Sequence, residues 1–243
     1  MQSKKYRTKK EALMKRMKIK RIVRTAVAAV LSLFTAVSFC SCSLGDAFLS
    51  AMGFDTHDYE AEEVVEILPS DNDEVVRLCE MIKILSVNDP ILPEFSSSGE
   101  AVDKCRDSVL NYMLCTEFAK YMGNNDLIEK VRENYPEFNL ISVIPGEDFE
   151  DFVYTYFGGN AKLSHSSSEL FTYLDKADAY TSVTVPVESN ITFEVINCEK
   201  TERTYRFKFK CIAGDFKSPV YETLIINRSD GSSYFKWLRQ ETK

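Results

Sequence analysis

The stretch ITFEVINCEKTERTYRFKFKCI, residues 191–212, alternates apolar and polar side chains on both sides of a short polar interruption. Because successive side chains of a strand point to opposite faces, this period of two predicts an antiparallel hairpin of strands 191–199 and 204–212. A three-residue loop, 200–202, matches apolar to apolar side chains and an acid to a base. The pairs in that register are Ile191–Cys211, Phe193–Phe209, Val195–Phe207, Cys198–Thr204 and, on the other face, Glu194–Lys208.

A second hairpin follows in the chain. Asp230-Gly231 is a strong signal for a two-residue turn. Two shorter strands are predicted earlier in the chain, over 170–174 and 180–185. In the second hairpin, the turn aligns three matched pairs of residues. The three pairs are Ile226–Phe235, Leu224–Trp237 and Glu222–Arg239.

Before residue 160 the apolar residues recur every three or four positions, the spacing typical of helices that bury one side. Asp71 and Glu74 have the spacing of a capping box, which opens a first helix that must stop by Pro90. Further helices are predicted over 100–122, 126–134 and 145–159. Glycines 158 and 159 supply the left-handed backbone that ends the last of these helices.

Helices followed by strands predict an α+β fold, in which the N-terminal helices pack on a C-terminal antiparallel meander. We assign residues 71–243 to a single domain, mainly helical over 71–159 and mainly β over 160–243. The order of elements resembles that of cystatin-like and nuclear-transport-factor-like folds, which place helices across the concave side of a curved sheet.

The N-terminus is strongly basic and leads into a short apolar run. Residues 1–41 hold eleven Lys and Arg but one acid, and no charged residue lies between Thr25 and Cys40. A permanent membrane span needs about 20 apolar residues, whereas this run has the length of a signal-peptide core. The positive charge favours the cytoplasmic side for the N-terminus. We therefore interpret residues 1–41 as a signal peptide.

The end of this run resembles the lipobox of bacterial lipoproteins. Phe39-Cys40-Ser41-Cys42 places an apolar and a small residue ahead of a cysteine. The resemblance implies that the Cys42 thiol receives diacylglycerol and that signal peptidase II cuts just before it. Phe39 and Cys40 depart from the usual residues, and the alternatives are Cys40 as acceptor, a plain signal peptide or an uncleaved anchor.

Such a chain is similar to small lipoproteins of Gram-positive bacteria, held at the extracytoplasmic face of the cell membrane by acyl chains. Two chains give stable attachment. Residues 42–70 then form a tether, with an acidic run over 58–66 that stays solvated, and a weak strand or helix over 64–68. The membrane is thus the first expected partner.

Charge excludes one class of function. Of the 30 Lys and Arg and 37 Asp and Glu in the chain, residues 42–243 keep 19 and 36, a net charge of −17. So acidic a domain repels nucleic acid and anionic headgroups, and we expect no nucleic-acid partner. A basic row, Arg206, Lys208 and Lys210, is either a partner-binding stripe or, more commonly, a solvated sheet face that answers neighbouring acids.

Five cysteines follow Cys42, an odd number without C-x-x-C spacing. We expect them to be small core residues rather than disulfides or zinc ligands, and the register above puts Cys198 and Cys211 on opposite faces. The five are Cys79, Cys105, Cys115, Cys198 and Cys211.

Catalytic and cofactor motifs are absent from the sequence: it has no G-x-S-x-G, H-E-x-x-H, P-loop or G-x-G-x-x-G. Of the two histidines, His57 lies in the tether and His165 lies among serines in a helix-to-strand loop. We predict no catalytic residue, cofactor or metal. The expected function is a lipid-anchored module that binds cell-wall material or another envelope protein. The alternative is an envelope hydrolase using carboxylates or the His165 loop.

Overall fold

The structure is a computed structural model and describes residues 57–158, 163–182, 185–186 and 189–241. Cys42 and the whole predicted signal peptide lie outside these residues. The helices and strands, in chain order, are β1 (Glu66–Ile67), α1 (Asp73–Ser86), α2 (Ser98–Thr116), α3 (Phe118–Tyr121), α4 (Asn125–Arg132), β2 (Ile144–Pro145), α5 (Gly146–Phe157), β3 (Thr172–Leu174), β4 (Ala179–Thr181), β5 (Thr192–Lys200), β6 (Thr204–Ala213), β7 (Phe216–Lys217), β8 (Tyr221–Asn227) and β9 (Ser233–Gln240).

The alternating C-terminal segments form an antiparallel sheet in the order β1-β5-β6-β8-β9, with β7 paired to β6. The helices precede it in the chain, and α1, α2 and α5 share one hydrophobic core with the sheet. The predicted α+β class is therefore confirmed. The prediction that all the C-terminal strands form a single meander is wrong in one respect. Strands β3 and β4 do not join this sheet but form a second one with β2, in the order β2-β4-β3.

The first hairpin forms, but its predicted register is wrong. Val195 lies opposite Phe209 and Phe193 opposite Cys211, while the last paired residues are Lys200 and Tyr205. The turn takes four residues rather than three, and within it the Thr204 amide donates to the Thr201 hydroxyl at 2.8 Å.

A bulge between Val195 and Asn197 then shifts the ladder by one residue. It turns Cys198 onto the face of Phe207 and Cys211, so the predicted opposite faces of the two cysteines are also wrong.

The second hairpin keeps two of its three predicted pairs. Glu222 lies opposite Arg239 and Leu224 opposite Trp237, but a bulge beyond Leu224 places Phe235 opposite Ile225 rather than Ile226. The turn is longer than two residues, since the Arg228 amide donates to the Ser232 carbonyl oxygen at 2.8 Å. Gly231 has a φ of +85°, the left-handed conformation that glycine adopts without a steric penalty.

The helices lie where the apolar spacing predicts them, with shifted ends. Asn72, not Asp71, caps α1, because its side chain accepts the Glu74 amide at 2.8 Å. The single predicted helix 100–122 is interrupted at Glu117, whose φ of −121° and ψ of 42° are not helical. Gly158 ends α5 at a φ of +70°, as predicted.

The core lies between the helices and one face of the large sheet. Phe207, Phe209 and Phe235 are fully buried there against Leu78 and Ile82 of α1. Burial of each such side chain contributes about 1.5–3 kcal/mol, so this layer is the main source of stability.

The compact unit of the chain runs from Tyr59 to Lys243. Residues 59–68, which we assigned to the tether, therefore lie on the folded unit: β1 pairs with β5, and the Trp237 Nε1–H donates to Glu60 Oε1 at 3.1 Å. None of the helices in the described part of the chain is long and apolar enough to cross a membrane.

Candidate functional site

His165 lies in a loop that we call the serine loop, residues 163–171. Its Nε2 is 2.9 Å from Glu150 Oε1 on α5, and its Nδ1 is 3.1 Å from Tyr180 Oη on β4. The ring stacks on Tyr173, with 5.0 Å between centroids, and its side chain is 14% exposed. Both ring nitrogens of His165 therefore have a polar partner, the Tyr180 hydroxyl at Nδ1 and the Glu150 carboxylate at Nε2.

Two adjacent residues of α2 hold the rest of the serine loop. Arg106 donates to the Ser164 carbonyl oxygen at 3.0 Å and to the Ser166 hydroxyl. Asp107 accepts the Leu170 amide at 3.3 Å and the Ser168 hydroxyl. Because each of these side chains binds two points of the loop, α2 fixes the path of the loop.

The serines near His165 are thus structural in this arrangement. The hydroxyl of Ser166 binds Arg106, that of Ser167 accepts the Tyr173 amide at 2.9 Å, and that of Ser168 binds Asp107. A hydrolase would need a hydroxyl within reach of the histidine and free to give up its proton. His165 does meet an acid, but the hydrogen bonds of the Ser166, Ser167 and Ser168 hydroxyls go to groups other than its ring. The hydrolase alternative stays a prediction without geometric support.

Arg106 is a residue of the candidate site that our sequence analysis missed. It falls on the same side of α2 as Val102 and Val109, and it is only 6% exposed. Asp103 pairs with it at 3.1 Å, while the Arg106 Nε has no hydrogen-bond partner among the residues that the structure describes. Burial raises the pKa of nearby Tyr180, and the Arg106 charge opposes this shift. A charged residue within an apolar helical stripe was the signal available in the sequence.

A groove lies beside the serine loop, and we call it the α2 groove. Its volume is about 430 Å³. One wall is the connection between α1 and α2, another is the exposed side of α2, and the third is the end of the serine loop. The lining residues are Leu85, Asn88, Asp89, Ile91, Leu92, Pro93, Lys104, Asp107, Ser108, Glu169 and Leu170.

The α2 groove combines exposed apolar edges with fixed polar groups. Ile91 is 48% exposed and Leu170 is 40% exposed, above the buried side chains of Leu85 and Leu92. The Asp107 hydrogen bonds hold the Leu170 backbone in place. Ligand sites typically combine apolar surface with oriented polar groups, and this groove has both.

A second cavity, of about 580 Å³, lies at the turn between β8 and β9. Arg228 lines it, but its guanidinium is used to brace the turn on α5. It donates to the carbonyl oxygens of Tyr154 and Thr155 at 2.6 and 2.9 Å and stacks 4.7 Å from the Tyr234 ring. This arrangement explains the arginine without a ligand.

The basic row lies on the sheet face opposite the helices, and acidic side chains lie close to its basic groups. Arg206 is 3.9 Å from Glu199, and Lys208 is 2.9 Å from Glu241. The Lys210 backbone lies opposite Glu194 in the ladder. These pairs support the solvated-face interpretation over a partner-binding stripe.

The cysteines beyond residue 57 are all free thiols. Cys105, Cys198 and Cys211 are buried, as predicted, and burial raises the pKa of each to about 12. Such thiols stay protonated and unreactive at neutral pH. Within the described ranges no three His, Cys, Asp or Glu side chains are grouped so that they could hold a metal ion.

Comparison with known proteins adds no relative: no family model, no curated protein and no solved structure matches this chain. The likeness to cystatin-like and nuclear-transport-factor-like folds stays a prediction, as does the lipoprotein resemblance.

Proposed function

We propose that the protein is a lipid-anchored binding module at the extracytoplasmic face of the bacterial cell membrane. Cys42 carries the lipid, and the α2 groove contacts another envelope protein or cell-wall material. The observation that carries the binding role is the pair of exposed apolar side chains, Ile91 and Leu170, at a groove whose polar groups are held in place.

The anchor and the domain are compatible in length. Tyr59, where the compact unit begins, lies seventeen positions after Cys42 in the sequence. A chain of that length spans at most roughly 60 Å.

Binding fits the α2 groove better than catalysis does. Exposed apolar side chains gain about 25 cal/mol for each square ångström that a partner removes from water. The carboxylate of Asp107 and the ammonium of Lys104 are already used to hold the serine loop and the Glu94 carbonyl oxygen. These groups shape the groove rather than act on a substrate.

The proposed lipid anchor and membrane location are tested by mass spectrometry of the protein extracted from membranes. We expect a chain that begins at Cys42 and carries diacylglycerol, and we expect the Cys42→Ala variant to be released from membranes. A chain that still holds residues 1–41, or an unmodified thiol at position 42, would contradict the proposed anchor.

The binding role is tested by capture of partners from the producing cells after chemical crosslinking. We expect Leu170→Glu to abolish the captured species. Phe216→Glu is the matched control, because Phe216 is 44% exposed and lies on β7 outside the groove. Equal capture by both variants, or no captured species with the wild type, would refute the proposed use of the groove.

A further inference from the structure

The rim of the α2 groove carries uncompensated negative charge. Asp89, Asp107 and Glu169 line it, and none of the three has a Lys, Arg or His partner within 4 Å in the part of the chain that the structure describes. The cation of the groove is already neutralised, since Lys104 lies 2.6 Å from Glu100 and donates to the Glu94 carbonyl oxygen at 2.6 Å. The rim therefore repels anions and attracts cations.

The floor of the groove has a different chemistry. Leu85 and Leu92 are buried beneath it, and Ile91 and Leu170 flank its opening. No aromatic side chain lines it in the described part of the chain. An aliphatic side chain packs well among leucine and isoleucine, because such contacts remove apolar surface from water.

We propose that the α2 groove binds a peptide segment in which an aliphatic side chain stands next to Lys or Arg. This inference rests on the proposed function and names its ligand class. The aliphatic side chain enters between Ile91 and Leu170, and the cationic side chains meet Asp89 and Glu169 at the rim. The volume of about 430 Å³ is within the range of sites that hold small ligands or a few side chains.

Glu169 is the rim acid best suited to a test. It is exposed, and it takes no part in the hydrogen bonds that hold the serine loop. Its reversal to lysine should therefore leave the loop in place. Glu202 offers a matched control, because it is also exposed and lies at the turn between β5 and β6, away from the groove lining.

The experiment measures binding of three labelled peptides to the full-length protein in lipid nanodiscs. The peptides are acetylated Gly-Lys-Leu-Lys-Gly, Gly-Lys-Ser-Lys-Gly and Gly-Glu-Leu-Glu-Gly. We expect the first to bind at least tenfold more tightly than the others, because only it satisfies both floor and rim. Glu169→Lys should weaken it at least fivefold, and Glu202→Lys less than twofold.

The control separates the groove from the general charge of the domain. If both charge reversals weaken the first peptide equally, its binding reflects net charge alone and the inference is wrong. It is equally wrong if the glutamate peptide or the serine peptide binds as tightly as the first one.

Failure of the inference and failure of the proposed function give different results. If none of the peptides binds but crosslinked capture still depends on Leu170, the groove takes another ligand and the binding module stands. If capture is also independent of Leu170, both proposals fail.

Discussion

The large sheet and the serine loop are held in place by different forces. The sheet buries Phe207, Phe209 and Phe235 against helices, so its order comes from apolar area removed from water. The serine loop has few buried side chains of its own, and a handful of hydrogen bonds from α2 and α5 fix its path. The sheet therefore depends on many apolar contacts shared with the rest of the core, whereas the path of the loop depends on a few polar side chains.

Because of this difference, the core can determine the stability of the domain while the polar contacts of the serine loop determine the shape of the groove. A binding groove next to a loop that is fixed by polar contacts is shaped independently of the core. Changes in the core should therefore unfold the protein, and changes at the polar contacts should alter the groove while the fold remains.

The largest expected effect comes from the core. Phe207→Ala removes a fully buried ring beneath the helices and leaves a cavity, which should lower the free energy of unfolding by about 3–5 kcal/mol. Urea denaturation followed by circular dichroism measures this loss. Lys210→Ala, on the opposite face of the same strand, should change stability by less than about 0.5 kcal/mol. Equal losses would mean that the core does not lie where the structure places it.

The next effect concerns the serine loop. Asp107→Ala removes the acceptor for the Ser168 hydroxyl and the Leu170 amide, which should cost about 1–3 kcal/mol and free the loop. Hydrogen exchange should speed up at Leu170 while the amides of β6 stay protected. The control is Asp151→Ala, because Asp151 is an exposed residue of α5, and such surface substitutions usually change stability by less than about 0.5 kcal/mol. Loss of protection in β6 would contradict the independence of the two regions.

A smaller effect should appear where a polar contact ties α1 to the sheet. Hydrogen bonds from Lys200 and Tyr205 lower the pKa of Glu74 below its ordinary value of 4.5. The stability gained from the carboxylate is therefore present above pH 4.5 and lost as the pH falls through the lowered pKa. Because Glu74 is partly exposed, Glu74→Gln should cost at most about 1 kcal/mol at pH 7.

This Glu74 prediction is checked by urea denaturation from pH 3 to 7. The difference in the free energy of unfolding between wild type and Glu74→Gln should shrink below pH 4.5. A difference that is constant with pH would mean that the carboxylate is not bound as the structure shows.

The smallest effect concerns the reactivity of the cysteines and involves no change in stability. It compares fully buried thiols with a half-buried one. Burial raises the pKa of Cys198 and of Cys211 to about 12, and that of the half-buried Cys79 to about 11. With iodoacetamide at pH 8, Cys79 should react before the other two, which should react only after denaturation in urea. Peptide mapping by mass spectrometry gives the order. Reaction of Cys198 or Cys211 in the folded protein would contradict their burial.

The sequence predicted the class of the fold because periodicity follows directly from burial. Alternation over 191–212 predicted β5 and β6, and apolar spacing predicted α1, α2, α4 and α5. It did not predict the registers, since two bulges shift the ladders after Val195 and Leu224. In Leu224-Ile225-Ile226 every residue is apolar, so neighbouring registers match apolar side chains almost equally well.

The candidate site was harder to predict than the fold. His165 was noticed, but its partners Glu150 and Tyr180 come from separate elements, α5 and β4. The α2 groove brings together residues from three segments that are far apart in sequence. Only Arg106 left a local signal, as a charge within the apolar stripe of α2.

The most direct test of the central claim is photo-crosslinking from inside the groove. A photoreactive amino acid replaces Leu170 or, as control, Phe216, in the lipidated protein within the producing cells, and covalent adducts are resolved by mass spectrometry. We predict a discrete adduct from position 170 and none of comparable yield from position 216. Equal yields at the two positions, or no adduct at position 170, would contradict a binding module that uses the α2 groove.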